Sequence, residues 1–119
     1  PLYFHNGRGQ TLWSAWGMWY PDDCPGEKGG FVVKGWFELA PGESAMVSSD
    51  DMRGGSYLTY GIWRDDYPDW SGERSVTLPN LRDPFERCIA GDIFLNGRTI
   101  KFKEFPRFNG THHVTFAEE

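Results

Sequence analysis

Acidic clusters, histidines and cysteines are the side chains of this 119-residue sequence that could do chemistry. The acids fall in Asp22-Asp23, Asp50-Asp51 and Asp65-Asp66 with Asp69. Asp65, Asp66 and Asp69 could offer oxygens to calcium, which takes roughly six to eight such ligands. Their spacing is not that of an EF-hand loop, and Asp recurs in turns because its carboxylate bonds nearby backbone. Turn chemistry is the expected role; calcium is the alternative, and no other cofactor is indicated. Paired carboxylates also serve glycoside hydrolysis, one protonating while the other attacks or activates water. That chemistry needs one carboxyl held protonated by burial, which polar loops do not supply. A small hydrolase using loop carboxylates is therefore the alternative to a non-catalytic protein. His112 and His113 are adjacent, and neighbours on a strand point to opposite faces. His112 should join Val114 and Phe116 at a core or rim position, with His113 on the other face, so the tandem does not serve one metal beside His5. No Ser or Cys carries a local nucleophile signature.

A second signal is aromatic. Rings make up 17% of the chain, with 6 Trp and 9 Phe. Trp16, Trp19, Tyr20, Trp63, Tyr67 and Trp70 sit near acidic loops, and indoles beside carboxylates can stack on and hydrogen-bond to sugars. The candidate ligand-binding set is Asp65, Asp66, Tyr67, Asp69 and Trp70. Tyr67 and Trp70 are expected to be open to solvent, because the 64–72 stretch is rich in turn formers. The competing role for the same rings is the core of a small sandwich.

The elements that must position these groups are strands. Phe31, Val33, Gly35, Phe37 and Leu39 share one parity while Lys34 and Glu38 take the other, the period-two pattern of a half-buried strand. Pro41-Gly42 then sets a type II turn over Ala40 to Glu43, after which the chain reverses into residues 44–48. Residues 2–6 read as an opening strand. Residues 11–20 and 57–63, aromatic on both parities, read as strands buried on both sides. Residues 74–78 and 111–116 are further strands, and Asn96-Gly97 is a hairpin turn between residues 93–95 and 98–102. Asp83-Pro84-x-Glu86 matches a capped helix start, giving one short helix over residues 83–90. The fold class is all-β: a single-domain antiparallel β-sandwich over residues 1–119 with that one helix.

Cys24 and Cys88 admit two roles, buried thiols or one disulfide closing a loop of about 65 residues; the disulfide is expected. The formal charge, 12 minus 17 or −5, comes without a basic block and disfavours nucleic acid as a partner. No apolar run approaches the roughly 18 residues of a membrane span, and no basic-then-apolar leader opens the sequence.

The combination of Gly35-Trp36-Phe37, Leu39-x-Pro41-Gly42-Glu43, the strand from Tyr57 to Tyr60, and Trp70-Ser71-Gly72 resembles domain-of-unknown-function family 1036 of bacteria. The resemblance spans roughly residues 2–88. It implies a small, often exported, cysteine-bearing β-domain with no assigned activity, hence a periplasmic or extracellular location. The family typically places a cysteine just after the turn, where this sequence has Ser44. The functional expectation is a non-catalytic binding or interaction module for a carbohydrate or a protein.

Overall fold

The computed structural model describes residues 1–19, 24, 30–49, 52–53, 57–63, 69–78, 85–88, 98–105 and 109–117. The strands are β1 (Leu2–Asn6), β2 (Leu12–Trp19), β3 (Phe31–Leu39), β4 (Ser44–Ser48), β5 (Met52–Arg53), β6 (Tyr57–Trp63), β7 (Asp69–Trp70), β8 (Arg74–Leu78), β9 (Phe85–Cys88), β10 (Arg98–Phe105), β11 (Asn109–Gly110) and β12 (His112–Phe116). No helix occurs among the described residues.

One sheet has three strands in the order β12-β1-β4. A larger one runs β8-β10-β6-β2-β3-β9, with β7 added beside β6, and β5 pairs β11 separately. All pairings are antiparallel except β1 with β12. The inner face of the small sheet, Leu2, Phe4, Val114 and Phe116, meets Leu12, Trp16, Leu39, Tyr57, Trp63 and Trp70 of the larger sheet in one core. Rings lock this layer: Phe116 lies edge-on to Phe4 at 4.9 Å and to Trp70 at 4.7 Å. Fully burying such a side chain is worth about 1.5–3 kcal/mol. The other face of the larger sheet gathers a second cluster, including Trp13, Phe31, Leu58, Tyr60, Ile62 and Phe102. β2 and β6, apolar on both parities, are buried on both faces as their composition requires.

Two expectations about β3 change. Ser14 pairs with Phe37 and Ala15 with Gly35, so the register skips Trp36. That bulge swaps the faces of the strand. Phe31, Val33 and Trp36 enter the outer cluster, whereas Phe37 and Leu39 join the core between the sheets. The turn after β3 is present, with Gly42 at φ 75° and the Glu43 N–H donating to the Ala40 carbonyl at 2.9 Å. It does not close a paired hairpin, because β4 hydrogen-bonds β1 and the turn carries the chain from one sheet to the other. Asn6 pins this crossing. Its side-chain amide donates to the carbonyls of Gln10 at 2.7 Å and Leu39 at 3.1 Å, and its Oδ1 accepts from Trp63 Nε1 at 2.9 Å.

The short helix expected over 83–90 is not formed at Phe85–Cys88, which are the strand β9. Asp83 and Pro84 lie outside the described residues. A two-turn helix is marginal by itself; here the backbone finds partners on β3, with Gly35 opposite Phe85 and Val32 opposite Cys88. Phe85 packs edge-on to Trp36 at 5.7 Å, with its ring close above Gly35. Cys24 and Cys88 are bonded as expected, and closing a loop of 64 residues by chain entropy contributes about 4 kcal/mol.

Candidate functional site

Of the expected carbohydrate set, only Asp69 and Trp70 lie among the described residues. Asp65, Asp66 and Tyr67 lie outside the described residues. Asp69 pairs with Ile62 and Trp70 with Gly61, so the end of the expected surface loop is a strand. Trp70, expected to face solvent, is 8% exposed. Phe116 and Phe105 cover its ring, and Lys103 Nζ stands 4.1 Å from the ring centroid. Gly72, two residues on, donates its N–H to the Lys101 carbonyl at 2.9 Å. The approach is so close that a Cβ there would lie 2.5 Å from Lys103 Cα. Beside it is a cleft of about 380 Å³ lined by Gly72, Glu73, Lys103 and Glu104. Of the other rings in that aromatic group, Trp16 and Trp63 are core residues, Tyr20 lies outside the described residues, and Trp19 is 47% exposed.

A different constellation forms on the outward face of the small sheet. Alternation on β1 and β12 sends Leu2, Phe4, Val114 and Phe116 inward, which leaves Tyr3, His5, His113 and Thr115 pointing out. β4 adds Ser44 opposite His5 and Met46 opposite Tyr3. Ser44 Oγ is 2.5 Å from His5 Nδ1, and His5 Nε2 is 2.8 Å from His113 Nδ1. Tyr3 stacks on His113 at 4.7 Å with the planes 11° apart, and His113 lies 18° from the plane of His5. The result is a row of Tyr3, His113, His5 and Ser44 across three strands. The sequence offered no sign of it, because residues 5, 44 and 113 meet only through the pairing of β1 with both neighbours.

His112, one residue away, faces in as its parity predicts. Tyr57's hydroxyl hydrogen-bonds its ring, and Tyr57 and Phe105 pack edge-on against it at 4.9 and 5.8 Å. Burial, with the charge of His113 second, holds its pKa below the ordinary 6.5. The three histidines therefore split into an outward pair and an inward single ring. Among the described residues, no group of three or more His, Cys, Asp or Glu side chains gathers as a metal site.

Ser44, His5 and His113 stand in the order of nucleophile, base and orienting group. Acyl transfer also needs donors aimed at an oxyanion and a pocket for substrate. β4 is an edge strand bonded to β1 along one side, and the cleft described above is lined by residues of other segments. What the row provides is a flat surface of hydroxyl, phenol, imidazole and thioether groups. No Asp, Glu, Lys or Arg stands at the outward positions of β1, β4 and β12 between residues 3–5, 44–46 and 113–115. No family model matches this chain, and neither a curated protein nor a solved structure matches it.

Proposed function

We propose that this protein is a non-catalytic interaction module, a β-sandwich that binds a protein partner on the outward face of β12-β1-β4. The observation that supports it is the uncharged, ring-rich row of Tyr3, His113, His5 and Ser44 on a chain of net charge −5, with Met46 beside Tyr3 and 51% exposed. Tyrosine and methionine are enriched, and acids and lysine depleted, where proteins meet. A sugar stacks on an open ring face, and Tyr3 and His113 each give one of their two faces to the other. Trp19, half exposed, keeps a carbohydrate contact as the second reading. The resemblance to domain-of-unknown-function family 1036 and an exported location belong to this same reading; a bonded cysteine pair is compatible with an oxidising compartment. A photo-crosslinking side chain at position 115, on the outward face, should give one discrete protein adduct in cells that make the protein. The double variant Tyr3→Ser/Met46→Ser should abolish that adduct, and the same probe at exposed position 86 on β9 should not form it. Binding of neutral oligosaccharides without any such adduct would overturn the protein reading in favour of carbohydrate.

A further inference from the structure

We propose that the free edge of β4 takes up an extended segment of the protein partner, which adds a strand beside Ser44 and Met46. This rests on the interaction reading above and names the element the partner supplies. The hydrogen bonds of β1 decide which backbone groups of β4 are available. The Asn6 N–H donates to the Glu43 carbonyl at 2.9 Å. Opposite residues of an antiparallel pair alternate between bonded and non-bonded, so along His5–Ser44, Phe4–Ala45 and Tyr3–Met46 the next ladder bonds fall at Phe4–Ala45. Ser44 and Met46 therefore turn their N–H and C=O groups away from β1. Among the described residues, neither makes another backbone hydrogen bond. The opening ends at Val47, whose carbonyl accepts from Trp16 Nε1 at 3.3 Å. A donor and an acceptor on each of two alternate residues match what an extended chain presents, which is the basis of strand addition to a sheet edge.

Natural sheets blunt an exposed edge with charge. The edge strands of the larger sheet do so, β8 with Arg74 and β9 with Glu86 and Arg87. β4 reads Ser44-Ala45-Met46-Val47-Ser48 and carries no charge. β12, the other edge of the small sheet, turns the backbone of His113 and Thr115 away from β1, since the His112 N–H donates to the Pro1 carbonyl and the Phe116 carbonyl accepts from the Gly7 N–H. It offers no apolar side chain at those two positions. Met46 and Trp19 are the large apolar side chains exposed among the described residues, and Met46 stands on the open edge of β4. A segment with an apolar residue beside Met46 gains burial together with main-chain bonds. The edge suits a lone segment rather than a second copy of this chain. β12 lies against Tyr57 of β6 and Phe105 of β10, and β4 against Trp16 of β2, so the two sheets run in the same order and β3 carries the larger sheet on past β2 at the β4 side. A second copy brought up to β4 would set its own larger sheet against β3, whereas a single strand clears it.

Amide hydrogen exchange in the purified wild-type chain tests the edge itself. Ser44 and Met46 should exchange close to the unprotected rate, and Ala45 roughly a hundredfold more slowly. Proline substitution then tests the added strand. Met46→Pro removes an N–H that faces away from β1 and should melt within a few degrees of wild type, whereas Ala45→Pro breaks a ladder bond and should melt well below it. With the photo-crosslinking side chain at position 115, Met46→Pro should cut the protein adduct about tenfold, because the donor is lost and the ring stands where the partner's carbonyl would bind. Met46→Ala keeps the N–H and should cut the adduct only about two- to threefold. Slow exchange at Ser44 or Met46, a Met46→Pro variant that melts as low as Ala45→Pro, or an undiminished adduct from folded Met46→Pro would overturn the added strand while leaving the outward face as a binding surface. An adduct with twice the mass of the chain would overturn the lone segment in favour of a second copy. The absence of any adduct from the wild-type protein would overturn the interaction reading, and this inference with it.

Discussion

The two faces of β1 and β12 are built from alternate residues of the same strands and do opposite work. Inward, Leu2, Phe4 and Phe116 are fully buried and Val114 nearly so, joined to the larger sheet by ring contacts. Outward, Tyr3, His5, His113 and Thr115 contact one another and β4, with none in the core. A shift of one residue in register would exchange the two sets, so the hydrophobic pattern that folds the sheet also selects which side chains are left for function. The same contrast holds between adjacent histidines: His112 is desolvated against Tyr57 and Phe105, while His113 joins His5 at the surface.

The inward face gives the largest expected effect. Phe116→Ala should cost about 3–5 kcal/mol, lowering Tm by roughly 10–20 °C in calorimetry. If Tm moved by only a degree or two, the two sheets would not share the core described. Next is Gly61→Ala, where a new Cβ would lie 2.7 Å from the Phe116 ring and 2.9 Å from Leu12 Cδ1. Overpacking there should destabilise by about 1–3 kcal/mol in a denaturant titration, and a stabilised variant would place Phe116 elsewhere.

A smaller effect separates the two histidines by pH. Because the folded pKa of His112 is lowered, the unfolded chain binds its proton more readily. The contribution of neutral His112 is complete above the ordinary 6.5 and is lost as pH falls through the folded value. His112→Gln should therefore narrow the drop in Tm between pH 7.5 and pH 5, measured against wild type. An identical drop in both proteins would mean that His112 is as well solvated folded as unfolded.

Much of the fold was legible because strand alternation and turn chemistry agreed. β1, β2, β3, β4, β6, β8 and β12 fall where their patterns place them, and Gly42 takes the positive φ the turn requires. The exceptions are tertiary. At β9, Asp83-Pro84-x-Glu86 is a sound local helix signal, but Phe85 fits over Gly35 and Cys88 is bonded to Cys24. At β3, one bulged residue, Trp36, inverts the faces of Phe37 and Leu39, and parity alone cannot show a bulge. Trp70 reads as a loop residue from its Pro, Gly and Asp neighbours, yet pairing with β6 turns it into the core. Parity did separate His112 from His113. It could not bring His113 to His5, because parallel pairing of the first and last strands is a property of topology.

The central claim is that the outward face of β12-β1-β4 is available for binding because folding does not need it. The most direct measurement combines Tm with adduct formation from position 115 in the Tyr3→Ser/Met46→Ser variant. Surface substitutions of this kind cost about 0.5 kcal/mol or less each. The account predicts a Tm within a few degrees of wild type and loss of the adduct. A variant that melts 10–20 °C lower while the adduct persists would contradict it, making Tyr3 and Met46 structural and placing the working surface elsewhere.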